Sequence, residues 1–175
     1  MVIGFMWKSF ENMFYYVKMF YYVKMFNIRL LYILIPLILS NIQQLAFPSD
    51  FQKNKKVFFQ PPGYVFGIVW TILYLLLGIY LYRILNSSNK LLLLIFAINL
   101  IFNMCWTPVV NNMRMYNTGI YILGLLILTT LMLIVLENDT TNKALLVPYI
   151  TWLLFALLLN IELSRLYKSN QVRYD

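Results

Sequence analysis

Long apolar runs alternate with short polar breaks along this chain. Five runs have spanning length, at residues 28–47, 65–84, 91–110, 120–136 and 144–161. Each is close to the roughly 20 residues, within a range of about 17–25, that a helix needs to cross a bilayer core. The run at 120–136 is the shortest. Asn-Ser-Ser-Asn-Lys at 86–90 and Glu-Asn-Asp-Thr-Thr-Asn-Lys at 137–143 read as plain loops, and a third loop opens at Asn111. A longer link at 48–62 carries Lys53, Lys55, Lys56, Phe58 and Phe59. Short links place consecutive helices side by side and antiparallel. The expected fold is an all-α membrane protein, a five-transmembrane-helix up-down bundle over 28–167. An amino-terminal extension, 1–27, precedes it and a short polar tail, 168–175, follows.

Composition strengthens the membrane reading. Hydrophobic residues make up 62% of the chain and charged residues 11%, with a mean hydropathy of +0.72. Soluble domains carry about 25% charged residues. Lipid tolerates this much apolar surface because side chains facing it need no burial. The formal net charge is +8, but the basic residues sit at the ends of apolar runs, which suits an anionic membrane surface and not nucleic acid. Charge does not orient the bundle. Lys8, Lys18, Lys24, Arg29, Arg83, Lys90 and Lys143 fall on the amino-terminal side, here side A. Lys53, Lys55, Lys56, Arg114, Arg165, Lys168 and Arg173 fall on the opposite side B, an equal number.

Candidate chemistry is sparse. The chain has no His and one Cys, Cys105, so the commonest metal ligand, general base and haem ligand are missing. The spans hold no acid–base dyad, nucleophile–base pair or metal set, and no ring of charges for a channel. In the extension, Tyr-Tyr-Val-Lys-Met-Phe occurs at 15–20 and again at 21–26. A six-residue period builds no helical stripe, and its Tyr and Lys suit the headgroup region.

Three spans carry inward-facing patterns. In the second, Gly67, Trp70, Tyr74 and Gly78 share a face; small residues there let helices approach or make room for a ligand. In the third, Asn99 and Asn103 at i,i+4 point the same way, either to tie helices together or to meet a ligand, with Trp106 below them. In the fifth, Tyr149, Trp152, Ala156 and Asn160 form one stripe beside Phe155. Aromatic faces with a gap and an amide suit a flat apolar ligand, although such stripes also serve as plain core.

Pro61-Pro62-Gly63-Tyr64-Val65-Phe66-Gly67-x-Val69-Trp70-x-x-Leu73-Tyr74, Asn103-x-x-Trp106-x-Pro108 and Val147-Pro148-Tyr149-x-x-Trp152-x-x-Phe155-Ala156-x-x-Leu159-Asn160 resemble the signatures of the TspO/translocator family of tryptophan-rich sensory proteins and peripheral benzodiazepine receptors. The resemblance covers about 30–167. Tyr64 stands where the family has Trp and Ile68 where it has Pro, and Ile161 replaces the Tyr of the eukaryotic sterol motif. The resemblance implies a five-helix bundle with a pocket under the long first loop, frequent homodimers, and a place in a bacterial or mitochondrial outer membrane. It also implies binding of porphyrins, sterols or benzodiazepine-type drugs. The candidate ligand-binding residues are Phe59, Trp70, Tyr74, Asn99, Asn103, Trp106, Tyr149, Trp152, Phe155, Ala156 and Asn160. The expectation is a receptor or carrier with no obligatory cofactor that takes a planar hydrophobic ligand, a tetrapyrrole foremost. Its rivals are a light-dependent porphyrin-degrading enzyme and a ligand-free scaffold.

Overall fold

The computed structural model describes residues 15–19, 31–48, 57–87 and 89–171, and is helical throughout its regular structure. After a helical turn at 15–19, five helices follow. α1 is Tyr32–Ala46, a 3-10 turn leading into an α-helix. α2 is Gly63–Ser87. α3 is Lys90–Asn112, α-helical to Thr107 and then a π-helical segment, Pro108–Asn112. α4 is Tyr116–Leu136 and α5 is Thr140–Gln171. Four of these, α2 to α5, are long and apolar enough to cross a membrane, and α1 is a shorter apolar helix. The chain is an integral, multi-pass membrane protein. The fourth helix starts at Tyr116 and is longer than its apolar run at 120–136, because the loop after Met113 ends sooner than its polar residues indicate. The boundary expected at 27/28 and most of the repeat lie outside the described residues.

Each long helix buries one stripe. On α4 it runs Tyr116, Gly119, Leu123, Leu126, Thr130 and Leu133; on α5 it runs Asn142, Leu146, Tyr149, Leu153, Ala156 and Leu163. This spacing, close to 3.5 residues, keeps a seam facing its neighbours. The outward residues, such as Leu128, Val135 and Leu158, are large, apolar and exposed, as lipid allows. Asn89 caps α3, accepting from the amides of Leu91 and Leu92 at 3.1 and 3.2 Å.

Neighbours in the bundle do not all follow chain order. α4 packs extensively on α3 and on α5, as short links predict. α2 and α3, despite the short link between them, touch less than α2 and α5 do. The ring order is α1, α2, α5, α4, α3. Aromatic residues explain the exchange: Trp70 of α2 packs edge-on against Tyr149 and Trp152 of α5, with ring centroids 6.5 Å away in both cases.

Side A is closed by polar clasps. Arg83 of α2 donates to Asp139 at 2.7 Å and to Asn142 Oδ1. Glu137, buried at the end of α4, accepts from the amides of Asn138 and Asp139 and from the Asn142 side chain. Asp139 accepts from the amides of Thr141 and Asn142 at the start of α5, at 2.7 and 3.3 Å. The Thr141 amide foremost, then the Asn142 amide and Arg83, hold its carboxyl below the usual carboxylate range.

Candidate ligand cavity

A cavity of about 460 Å³ lies between α1, α2 and α3 towards side B. It falls within the roughly 300–1,000 Å³ of ordinary small-molecule sites. α2 contributes Phe66, Gly67, Trp70, Thr71 and Tyr74 to its lining, and α3 contributes Trp106, Thr107 and Asn111. α1 faces them with Leu37, Ser40, Asn41, Gln43 and Gln44.

Its aromatic wall is continuous. Trp70 stacks on Tyr74 at 5.4 Å with the rings 26° apart, and meets Trp106 at 6.4 Å. Behind it, Trp152 lies 5.5 Å from Phe66 and 5.1 Å from Phe155. Phe155 in turn meets Phe59 of the first loop at 6.4 Å. That loop is anchored by buried Val57, whose amide bonds the Gln60 side chain.

The shape of α3 follows from Pro108. Proline has no N–H to give the carbonyl four residues earlier, so the Met104 carbonyl is left open. Gln43 of α1 donates to it instead. The chain beyond loosens into the π-helical segment, the kind of local widening that often marks functional sites. It buries Asn111 in the cavity wall.

The candidate residues separate into three groups. Trp70, Tyr74 and Trp106 line the cavity. Trp152 stands behind Trp70 and Phe66, with Phe155 and Phe59 beyond it. The third group is internal structure. Tyr74 donates to Asn103 at 2.7 Å, Asn103 to Tyr149 at 2.9 Å, and Tyr149 to Asn99 at 3.0 Å. Asn99 then donates to Thr129 and Thr130 of α4, at 2.7 and 3.0 Å. This buried chain ties α2, α3, α5 and α4 together and occupies the amides of Asn99 and Asn103. Asn160 packs beside Gly119 and donates to the Tyr116 carbonyl at 2.8 Å, away from the cavity lining. Ala156 is buried and does not line the cavity.

Two indole N–H groups behave differently. The Nε1 atoms of Trp106 and Trp152 are buried with no hydrogen-bond partner, as is the Asn111 side-chain oxygen. An unsatisfied buried polar group costs about 1–3 kcal/mol. Orphans of this kind beside a cavity are where a ligand's polar atoms gain most. The α1 contributors were missed in the sequence, although Ser40, Asn41, Gln43 and Gln44 are a cluster of polar residues inside an apolar run. By the rule that directed attention to Asn99 and Asn103, they too belong inside the bundle.

Fold and cavity together define a polytopic helical membrane protein with an aromatic-walled ligand chamber. The chain belongs to the TspO/MBR family, whose model matches residues 29–166. It is 33% identical over 127 residues to the tryptophan-rich sensory protein of Cereibacter sphaeroides, covering 70% of this chain and 80% of that protein. It is 31% identical to the tryptophan-rich protein TspO of Archaeoglobus fulgidus over 62% of this chain and 74% of that one. With protein CrtK of Rhodobacter capsulatus it shares 31% identity, over 64% and 74% of the two chains.

Proposed function

We propose that this protein is a membrane receptor or carrier that binds a planar, mostly apolar ligand bearing hydrogen-bond acceptors, a tetrapyrrole foremost. The ligand lies in the cavity between α1, α2 and α3. We read α1 as part of a fifth span, which gives the five-transmembrane-helix bundle. The observation that carries the reading is the orphaned Trp106 indole N–H in the wall of an aromatic cavity. The stacked face of Trp70 and Tyr74 would hold the ring, at about 1–3 kcal/mol per contact. The indole N–H would hold a polar edge. Iron coordination then adds little to affinity, since the chain has no His, the usual haem ligand. The sensory designation of the Cereibacter sphaeroides relative fits a ligand receptor.

The test is a titration of purified protein with metal-free protoporphyrin and with haem, following tryptophan quenching. Trp106→Phe keeps a ring and removes the N–H. It should weaken both ligands alike, about tenfold, equivalent to about 1.4 kcal/mol. Haem binding a hundredfold tighter than protoporphyrin, with an axially ligated iron spectrum, would refute the stacking mechanism. Unsaturable binding of both would favour a scaffold.

A further inference from the structure

The two helices on either side of the cavity touch at one end only. At Gly78 an added Cβ would fall 1.8 Å from the Ile33 carbonyl oxygen, so the backbones of α1 and α2 are in contact there. At Gly67 and Gly63 an added Cβ meets nothing within 4 Å. Towards side B, α1 is tied to α3 instead, through Gln43 to the Met104 carbonyl and through Asn112 to the Pro48 carbonyl. α1 therefore leans away from α2, and a gap opens along α2 from Tyr74 to Gly63. At 1.5 Å of rise per residue that length is about 16 Å.

The gap has a distinctive floor and rim. Gly63, Gly67 and Thr71, at i, i+4 and i+8, are exposed and line the cavity. Two polar groups at the gap bond within their own helices: Thr71 donates to the Gly67 carbonyl at 2.8 Å and Asn41 to the Leu37 carbonyl at 2.7 Å. No hydrogen bond described for either residue bridges the gap. The rim is apolar and exposed, with Ile38, Ile42 and Leu45 on α1 and Ile68 and Ile72 on α2. Such a rim faces lipid. Trp106 and Asn111 stand in the cavity wall, and their buried Nε1 and Oδ1 atoms have no partner, an observation separate from the small-residue stripe that points to a ligand beside them.

We infer that the gap between α1 and α2 is a lateral portal, through which the ligand passes between the bilayer and the cavity without entering water. The inference rests on the cavity being the ligand site. An apolar ring system partitions into lipid by roughly 25 cal/mol per Å² of apolar surface, so a mouth in the side of the bundle opens onto the phase where the ligand is concentrated.

Gly67→Leu places a side chain in the open space of the gap. With the full chain in vesicles and protoporphyrin as probe, association and dissociation should both slow by about tenfold or more. Gly67→Ala, adding one methyl, should keep wild-type rates. Unchanged rates in Gly67→Leu would place entry elsewhere, such as past the first loop, and overturn the portal. So would a change in one rate alone with a matching rise in Kd, which would make Gly67 only a wall, or equal slowing by Ala and Leu, which would indicate a disturbed helix. A second measurement needs no ligand. In vesicles of dibrominated phosphatidylcholine, tryptophan fluorescence should be quenched more in wild type than in Gly67→Leu. Equal quenching overturns the portal. Failure of wild-type protein to bind protoporphyrin saturably overturns the proposed function, while the quenching comparison still decides the portal.

Discussion

Towards side A, α1 and α2 meet backbone to backbone at Ile33 and Gly78, and Tyr80 and Ile84 are fully buried. Arg83 closes the end with an ion pair to Asp139. Towards side B, the same two helices part, glycines look onto open space, and indole N–H groups go unpaired. The same residue type does opposite work in the two halves. Gly78 is there because no side chain fits, and Gly67 stands where a side chain would fit. One half is packed to hold the helices together and buries the Tyr80 hydroxyl without a partner; the other sets its unpaired indole N–H groups near open space that a ligand could fill. Retained orphan donors are characteristic of sites that complete themselves on binding.

The contrast is sharpest at the two glycines. Gly78→Leu should cost about 3 kcal/mol or more, because the clash is with backbone that cannot rotate away. It should appear as a large fall in the thermal midpoint in detergent, or as failure to accumulate. Gly67→Leu should leave the midpoint near wild type. Comparable losses at both positions would erase the distinction between the halves.

A smaller effect separates satisfied from orphaned polar groups. Asn99→Ala removes the donor shared by Thr129 and Thr130 and strands the Tyr149 hydroxyl. It should cost about 2 kcal/mol of stability. Trp106→Phe, whose N–H has no partner, should cost little stability while binding falls. Chemical unfolding of both variants beside their protoporphyrin titrations checks the crossover.

The smallest effect concerns the clasp at side A. Asp139 has its folded-state pKa lowered, so its contribution is present above the ordinary value of about 3.9. That contribution is lost as pH falls through the lower folded value. The midpoint should therefore be insensitive to this group between pH 7 and 5 and decline below about pH 4. Asp139→Asn should flatten that decline, measured by circular dichroism against pH.

Much of this was legible beforehand. The spacing of Asn99, Asn103 and Tyr149 placed all three inside the bundle, because a polar side chain in a span has nowhere else to go. Spacing alone did not tell that they bond one another and not a ligand. That depends on the depth and rotation of three helices at once, and no single helix encodes it. Trp70, Tyr74 and Trp106 were found as cavity residues because aromatic faces at helical spacing signal their own direction. Asn160 and Ala156 share a stripe with Tyr149 and Trp152, yet lie outside the cavity lining. A stripe on a helix as long as α5 passes several neighbours, and at this depth it meets α4 at Gly119. The pairing of α2 with α5 was hidden for a related reason: short links favour chain neighbours, and the aromatic match that overrides them joins residues separated by two intervening helices.

That pairing also bears on how the protein is made. α2 leaves the ribosome well before its partner α5, which follows it by two further helices. At roughly 5–20 residues per second, the aromatic face of α2 waits for seconds in the company of lipid or of the insertion machinery before Trp70 meets Tyr149 and Trp152. The aromatic backing of the chamber, Trp152 against Trp70 and Phe66, is therefore completed after its α1, α2 and α3 lining has been made, when the fifth helix returns to the second. A chain halted before α5 would present the membrane's quality-control proteases with an unfinished wall.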